Sequence, residues 1–289
     1  MVSVILPTYN RAELVGESIS SVLQQSFNDL ELIVVDDGSE DNTEEVVWGF
    51  KDSRIRYFKL PHEGHIGNLK NFAIQQSSGD FIAFIDSDDL WKKDKLERQL
   101  KLFSGDPTID FCITDVTTFR DNDILIPHSY KLQNTIECIN IFDRLINSQL
   151  LVYNPTLIIR KECISKVGYF EDNMMCGGHQ FVMRLAYFFK AGIIYDTLVL
   201  RRVHNSNISE LFHEENYLEY IKTFQYLYDH KMLDRKYLLK AKSNAYFKLG
   251  NIDRIKGESR NARKNYWKSF KYGVWFPKFY AGLLNTLKR

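Results

Sequence analysis

Short apolar runs alternate with helix-period stripes through the first third of the chain, and this alternation restricts the fold more than any other feature. Val2–Leu6 is an apolar run stopped by Pro7. Leu14, Val15, Ile19, Val22 and Leu23 then form one stripe of a helix over Arg11–Gln25. Leu30–Val35, Arg54–Leu60 and Phe81–Ile85 are predicted strands, with helices over Asp41–Phe50 and Ile66–Gln76 between them. The Asp41–Phe50 helix has Ser39 or Asp41 as its N-cap. Glu44 and Glu45 lie in its first turn, where carboxylates meet the positive end of the helix dipole. A strand as uniformly apolar as Leu30–Val35 belongs in a sheet covered on both faces. The pattern implies an α/β fold of right-handed βαβ units, with a mostly parallel central sheet flanked by helices and ligands at the C-terminal strand ends.

Further along, a helix is expected over Leu90–Phe103, and from about 108 to 204 the pattern becomes mixed. Strands near 109–116 and 151–160 flank a helix near 137–148, a second helix starts near His179, and a strand covers Ile193–Arg202. After Asn205 only helical stretches follow, and Ala241–Leu249 with Gly250-Asn251 behind it reads as the turn of a helical hairpin. The expected division is an α/β domain over 1–205, in halves 1–105 and 106–205, and a helical appendage over 206–289. With 44% hydrophobic residues the chain can bury a large core, which excludes disorder and small disulfide scaffolds. Cys112, Cys138, Cys163 and Cys176 are scattered without metal-ligand spacing and read as reduced, buried thiols of a cytosolic protein. No apolar run reaches the ~20 residues of a membrane-spanning helix, and Met1 leads straight into Val2–Leu6, so no leader is expected.

The net charge of +1 conceals two opposite regions. Residues 231–289 carry 16 Lys and Arg against 3 Asp and Glu, a net +13, and the first 230 residues carry −12. Tyr266, Trp267, Phe270, Trp275, Phe276, Phe279 and Tyr280 lie among those cations. Rings settle at headgroup depth, and each Lys or Arg gains ~1 kcal/mol near anionic lipid, so a membrane surface is the expected partner. The charge alone would also suit nucleic acid, or could solvate helices packed on the body.

Three strand ends carry chemistry. Pro7-Thr8-Tyr9-Asn10-Arg11 offers an aromatic ring for stacking on a base, and backbone N–H groups for a phosphate. Val34-Val35-Asp36-Asp37-Gly38-Ser39 places two carboxylates at a buried strand end, suited to a ribose or a base edge. No GxGxxG follows the first strand, which excludes a dinucleotide-binding dehydrogenase. Phe84-Ile85-Asp86-Ser87-Asp88-Asp89 gathers three carboxylates within four residues. Such a cluster suits a hard divalent cation whose open positions take phosphate oxygens, the alternative being a solvated acidic turn that caps the Leu90–Phe103 helix.

In order and spacing, the segments from Val2 to about His204 resemble the nucleotide-sugar-dependent glycosyltransferases of family two, which have the GT-A fold. The resemblance rests on Val2–Arg11, Gln24-Gln25-Ser26, Val35–Ser39, Gly79-Asp80-Phe81-Ile82 and Asp86-Ser87-Asp88-Asp89-Leu90-Trp91. It implies a nucleotide-binding half over 1–105 and an acceptor half over 106–205. Thr8, Tyr9 and Asp37, with Pro7, Asn10 and Arg11 around them, would hold the base and ribose. Asp86 would line the donor site, and Asp88 would bind Mn²⁺ or Mg²⁺ on the diphosphate. Lys70-Asn71 stands where the family has an Arg-Asn pair near the donor. Arg202 and His204 match its late Arg-x-His element, with His204 a second metal or phosphate contact.

The chain departs from that pattern at the base. The family has an acidic pair six residues before the arginine of the acceptor-side helix, and six before Arg184 is Gly178. His179 could take the proton, since an imidazole with a pKa of ~6.5 suits proton uptake at neutral pH. Otherwise Glu171 or Asp172 reaches in, or the site binds without turnover. The expected function is an inverting, metal-dependent hexosyltransferase moving one sugar from a nucleotide-diphosphate donor, UDP-linked, to a hydroxyl of a growing lipid-linked glycan. The setting would be bacterial surface polysaccharide or lipopolysaccharide assembly, at the inner face of the cell membrane. The alternative is a catalytically impaired sugar-nucleotide or glycan-binding protein. A nucleotidyltransferase is disfavoured because Pro7-Thr8-Tyr9-Asn10 contains no glycine.

Overall fold

The structure is a computed structural model and describes residues 1–121, 123–130, 136–172, 174, 177–204, 207 and 213–273. The chain divides into two compact units, Met1–His204 and Asn205–Arg289. The first is built on a ten-stranded sheet ordered β3-β2-β1-β4-β9-β6-β10-β5, with β7 on β6 and β8 on β10.

Strand β1 (Val2–Thr8) is buried along its whole length and pairs in parallel with β2 (Leu30–Asp36), in the register Val2↔Leu30 to Thr8↔Asp36. β4 (Phe81–Phe84) flanks β1 on its other side in parallel, and β3 (Ile55–Lys59) flanks β2. This parallel quartet requires crossover helices. They are α1 (Val15–Leu23), α2 (Thr43–Trp48) and α3 (Ile66–Gln76). Val15, Ile19 and Val22 of α1 pack with Val2, Val4, Leu32 and Val34 in the core. Helix α1 begins at Val15 rather than Arg11, because residues 11–14 form a turn in which the Arg11 N–H donates to Thr43 Oγ1 at 2.9 Å.

Beyond β4 the pairing mixes directions. β9 (Ile158–Arg160) runs antiparallel to both β4 and β6 (Phe111–Arg120), and β10 (Ala191–Arg202) runs parallel to β6. Leu90-Trp91, expected to open a helix, form the short strand β5, pairing with Val199 and Leu200 of β10. Helix α4 starts only at Lys95 and ends at Gly105. Likewise the front of the helix expected at 137–148 is strand β8 (Ile136–Ile139), which pairs antiparallel with Ala191–Ile194. Only Phe142–Ile146 (α5) is helical there. β7 (Asp123–Ile126) turns back on the end of β6. A 3₁₀ turn (Asn154–Thr156), α6 (Ile164–Val167) and α7 (Gly178–Phe188) complete the unit. Cys112 and Cys163 are buried free thiols, their pKa values pushed up to about 12 by burial, and Cys138 is half-buried. Cys176 lies outside the described residues.

The second unit is helical as expected, with α8 (His213–Asp229), α9 (Arg235–Ile255) and α10 (Ser259–Tyr272). The hairpin turn does not fall at Gly250-Asn251. Helix α9 runs through both residues, and the chain reverses at Lys256-Gly257-Glu258. Gly250 is there for contact, since a Cβ on it would stand 2.7 Å from the Tyr266 ring. Tyr266 is fully buried and donates its hydroxyl to Asn251 Oδ1 at 2.9 Å. This tail ring therefore belongs to the interior. Trp267 and Phe270 are exposed, on a surface of α10 shared with Arg260, Arg263, Lys264 and Lys271. Trp275, Phe276, Phe279 and Tyr280 lie outside the described residues. No described helix is long and apolar enough to cross a membrane.

Candidate active site

The level register of β1, β2 and β4 brings Thr8, Asp36 and the Asp86–Asp89 run to one sheet edge. The first two loops are knitted together there. Asn10, in the left-handed region at φ 48°, donates its N–H to Ser39 Oγ at 2.8 Å and accepts from the Glu40 N–H at 2.9 Å. The Asp37 N–H donates to the Thr8 carbonyl at 2.9 Å. Thr8 is buried, and its hydroxyl has no hydrogen-bond partner among the described residues. Asp36 is wholly buried, accepting from the Ser39 N–H at 2.7 Å and the Tyr57 hydroxyl at 2.7 Å. That carboxylate, behind the first, fixes the turn.

Asp37 does more than point outward. Its two carboxylate oxygens accept from the N–H groups of Glu63 (3.0 Å) and Gly64 (2.9 Å), and His62 Nδ1 lies 2.8 Å from Oδ2. It thereby orders the loop after β3, and holds the His62 ring stacked on Tyr9 with centroids 4.1 Å apart and planes 14° apart. The half-exposed Tyr9–His62 pair makes a flat platform at the strand edge. No sequence pattern marks His62.

Around the acidic run, residues distant in sequence converge. His204 Nε2 lies 3.0 Å from Asp88 Oδ2. Arg202 donates its backbone N–H to Asp89 Oδ1 at 2.9 Å, its Nε to the Asp88 carbonyl at 3.1 Å, and its Nη2 to Glu17. Burial raises the pKa of Asp86, and the Asp88 charge adds to this, while Lys70 and Arg201 pull the other way. Asp89 is raised well above the usual carboxylate range by burial and by its two acidic neighbours. Lys70 is buried, with Nζ 5.5 Å from the Phe170 ring centroid. Asn71 does not present its amide to this edge. It clips Phe170, donating to the Phe170 carbonyl and accepting from its N–H, both at 2.8 Å.

That clip joins the nucleotide half to the acceptor half. Phe170 stacks on Phe181 of α7 at 4.2 Å, and both rings pack edge-on against Phe84 of β4. The opening of α7 is thus fixed near the end of β4, two residues before Asp86. Gly177 takes the left-handed conformation at φ 62°, and α7 starts at Gly178. His179 keeps part of its surface open, but desolvation lowers its pKa to about 4. The value of ~6.5 used in the sequence argument is therefore corrected. Glu171 is drawn toward Arg184, whose Nη1 is 3.9 Å from its Oε1. Arg184 is buried and donates to the carbonyls of Val167 and Tyr169. Asp172 is exposed.

Two side chains that meet at this edge are of types that ligate divalent cations. Asp88 and His204 offer one carboxylate and one imidazole, and no cluster of three ligating side chains occurs among the described residues. The remaining positions would fall to diphosphate oxygens and water, as is usual for cations bound together with a phosphate substrate.

A mixed sheet whose parallel half ends in nucleotide-type loops and an acidic run is the GT-A architecture. Residues 3–167 match the model of glycosyl transferase family 2, and the chain belongs to that family. Over 125 residues it is 39% identical to an Escherichia coli protein, UDP-Glc:alpha-D-GlcNAc-diphosphoundecaprenol beta-1,3-glucosyltransferase WfgD, covering 43% of this chain and 49% of the relative. It is 41% identical over 103 residues to the putative teichuronic acid biosynthesis glycosyltransferase TuaG of Bacillus subtilis, covering 35% of this chain and 41% of TuaG. The chain thus spans less than half the length of these relatives. The structure of S. aureus TarS 1–349 in complex with UDP superposes with a TM-score of 0.66 at 22% identity, covering 89% of this chain and 74% of that one. Mannosyltransferase PcManGT from Pyrobaculum calidifontis, in complex with GDP-Man and Mn²⁺, gives 0.62 at 16% identity, covering 99% and 84%.

Proposed function

We propose that the chain is an inverting, divalent-metal-dependent hexosyltransferase that moves one sugar from a UDP-sugar to a hydroxyl of a lipid-linked glycan. The observation that carries this reading is the meeting of Asp88 with His204 at the sheet edge, beside the Tyr9–His62 platform. The platform would stack on the base, with the loop ordered by Asp37 beside it. Lys70 and Arg201 supply positive charge near Asp86, where a diphosphate would lie. A Mn²⁺ or Mg²⁺ held by Asp88 and His204 would neutralise charge developing on the departing diphosphate.

The acceptor hydroxyl attacks the anomeric carbon from the face opposite the leaving group, so the configuration inverts. His179 takes its proton. A pKa of about 4 leaves the imidazole unprotonated at neutral pH, with basicity close to that of a carboxylate. The imidazolium so formed is favoured by the negative charge of the neighbouring diphosphate.

The exposed α10 surface bearing Arg260, Arg263, Lys264, Trp267 and Lys271 supports attachment to an anionic membrane surface, where a lipid-linked acceptor resides. The WfgD relative, named for a diphosphoundecaprenol-linked acceptor, is consistent with this. Nucleic acid is not required as a partner.

Calorimetric titration of UDP with Mn²⁺, and again with chelator, tests the reading. Metal-dependent binding lost in Asp88→Ala, followed by sugar transfer lost in His179→Ala, is expected. Binding without transfer to any acceptor or to water would favour the impaired sugar-nucleotide-binding alternative. No binding of UDP, GDP or dTDP would refute both.

A further inference from the structure

A side chain at position 178 would meet that of Asn154. A Cβ built on Gly178 would stand 2.4 Å from Asn154 Nδ2 and 2.9 Å from Asn154 Oδ1, inside any real contact distance. Where a carboxylate side chain would begin at the opening of α7, the space is taken by an amide from a different segment.

The backbone that carries Asn154 is held firmly. Asn154 opens the 3₁₀ turn Asn154–Thr156, whose backbone is tied to the strand and helix that follow the acidic run. Trp91 Nε1 donates to the Pro155 carbonyl at 3.0 Å, and Gln99 Nε2 donates to the Thr156 carbonyl at 2.9 Å. The Leu157 N–H closes the turn on the Asn154 carbonyl at 3.0 Å. The side chain is half-buried, and its amide makes no hydrogen bond among the described residues. An amide with donor and acceptor both uncommitted, carried on a backbone so held and lying against the first residue of a helix, is equipped to hold a hydroxyl.

We propose that Asn154 orients the attacking hydroxyl of the acceptor, in the room that a carboxylate at position 178 would need, and delivers it to His179. This rests on the transferase reading above. The amide accepts a hydrogen bond through Oδ1 or donates one through Nδ2, but it takes up no proton at neutral pH. Orientation and deprotonation are thus divided between two residues. As the hydroxyl oxygen forms its bond to the anomeric carbon, the bond from that carbon to the phosphate oxygen breaks. The electron pair leaves with the nucleoside diphosphate, and the hydroxyl proton passes to the His179 ring.

The test uses the full chain, UDP-sugars as donors, and a GlcNAc-diphosphate carrying a short alkyl chain as acceptor. Asn154→Ala is expected to raise the acceptor KM and lower kcat, together at least tenfold, with UDP affinity by calorimetry unchanged. Gly178→Asp alone is expected to be inactive, because its side chain meets Asn154. Asn154→Gly with Gly178→Asp is expected to recover transfer, and to keep it when His179→Ala is added, whereas His179→Ala alone loses it. Recovery that becomes independent of His179 is a result that a merely structural Asn154 would not give. Unchanged acceptor kinetics in Asn154→Ala, or failure of the double variant to recover while melting like the wild type, overturns the inference and leaves the transferase reading standing. UDP binding without transfer by the wild type also overturns it, and absence of UDP binding overturns both.

Discussion

Lys95 provides a quantitative test of the packing beneath the site. It is wholly buried, with Nζ donating to Gln99 Oε1 at 2.8 Å and lying 3.9 Å from the Trp91 ring centroid. No carboxylate pairs with it among the described residues, and desolvation lowers its pKa from 10.5 to about 7. Between those two values the unfolded chain holds more protons at this site than the folded one, so stability rises with pH. Integrated from pH 7 to pH 9, the gain is about 2 kcal/mol. In Lys95→Met that contribution disappears while the contact with the Trp91 face is kept. Cys112, the other titrating group at hand, stays a thiol across this range because burial holds its pKa at about 12. Its effect cancels between the two proteins. Urea unfolding of both at pH 7 and pH 9 gives the comparison. The wild type should gain about 2 kcal/mol more than the variant over the interval. Parallel changes in the two proteins would refute the assignment of a half-charged buried lysine.

Three further outcomes follow from the same contacts. Gly250→Ala pushes a methyl into the Tyr266 ring and should destabilise the helical unit by about 1–3 kcal/mol, read by thermal melting against the wild type. Tyr57→Phe removes a donor from buried Asp36 and should cost about 1–3 kcal/mol, measured by denaturant midpoint, with weakened UDP binding as the second turn loosens. The acid limb of kcat/KM should fall near pH 4, where His179 titrates, leaving turnover flat from pH 5.5 to 8 on its account. A limb near 6.5 would refute His179 as a desolvated base.

The parallel half of the sheet was legible because its signals are local. Ile66–Gln76 is a helix to the residue, and the three strand ends align at one edge. Leu90-Trp91 and Ile136–Ile139 were misread for a common reason. Each owes its strand state to pairing with β10, whose residues come more than fifty positions later, while the local apolar spacing suited a helix. Gly250-Asn251 misled because a glycine serving helix contact looks, in sequence, like one serving a turn. Within the site, Asp88 and His204 were readable from their motifs, and they meet. His62 and Asn154 carry no motif. Only the folded chain shows that one stacks on Tyr9 and the other fills the space above Gly178.

The latch formed by Arg202 and His204 also orders events during synthesis. Asp89 and Asp88 find these partners 113 and 116 residues further along the chain. At ~5–20 residues per second the acidic run waits about 6–23 s for them to emerge. β10, which carries the latch, is also the strand on which β5, β6 and β8 pair. The acidic edge, although encoded near the start of the chain, can complete these contacts only after β10 and His204 have been made.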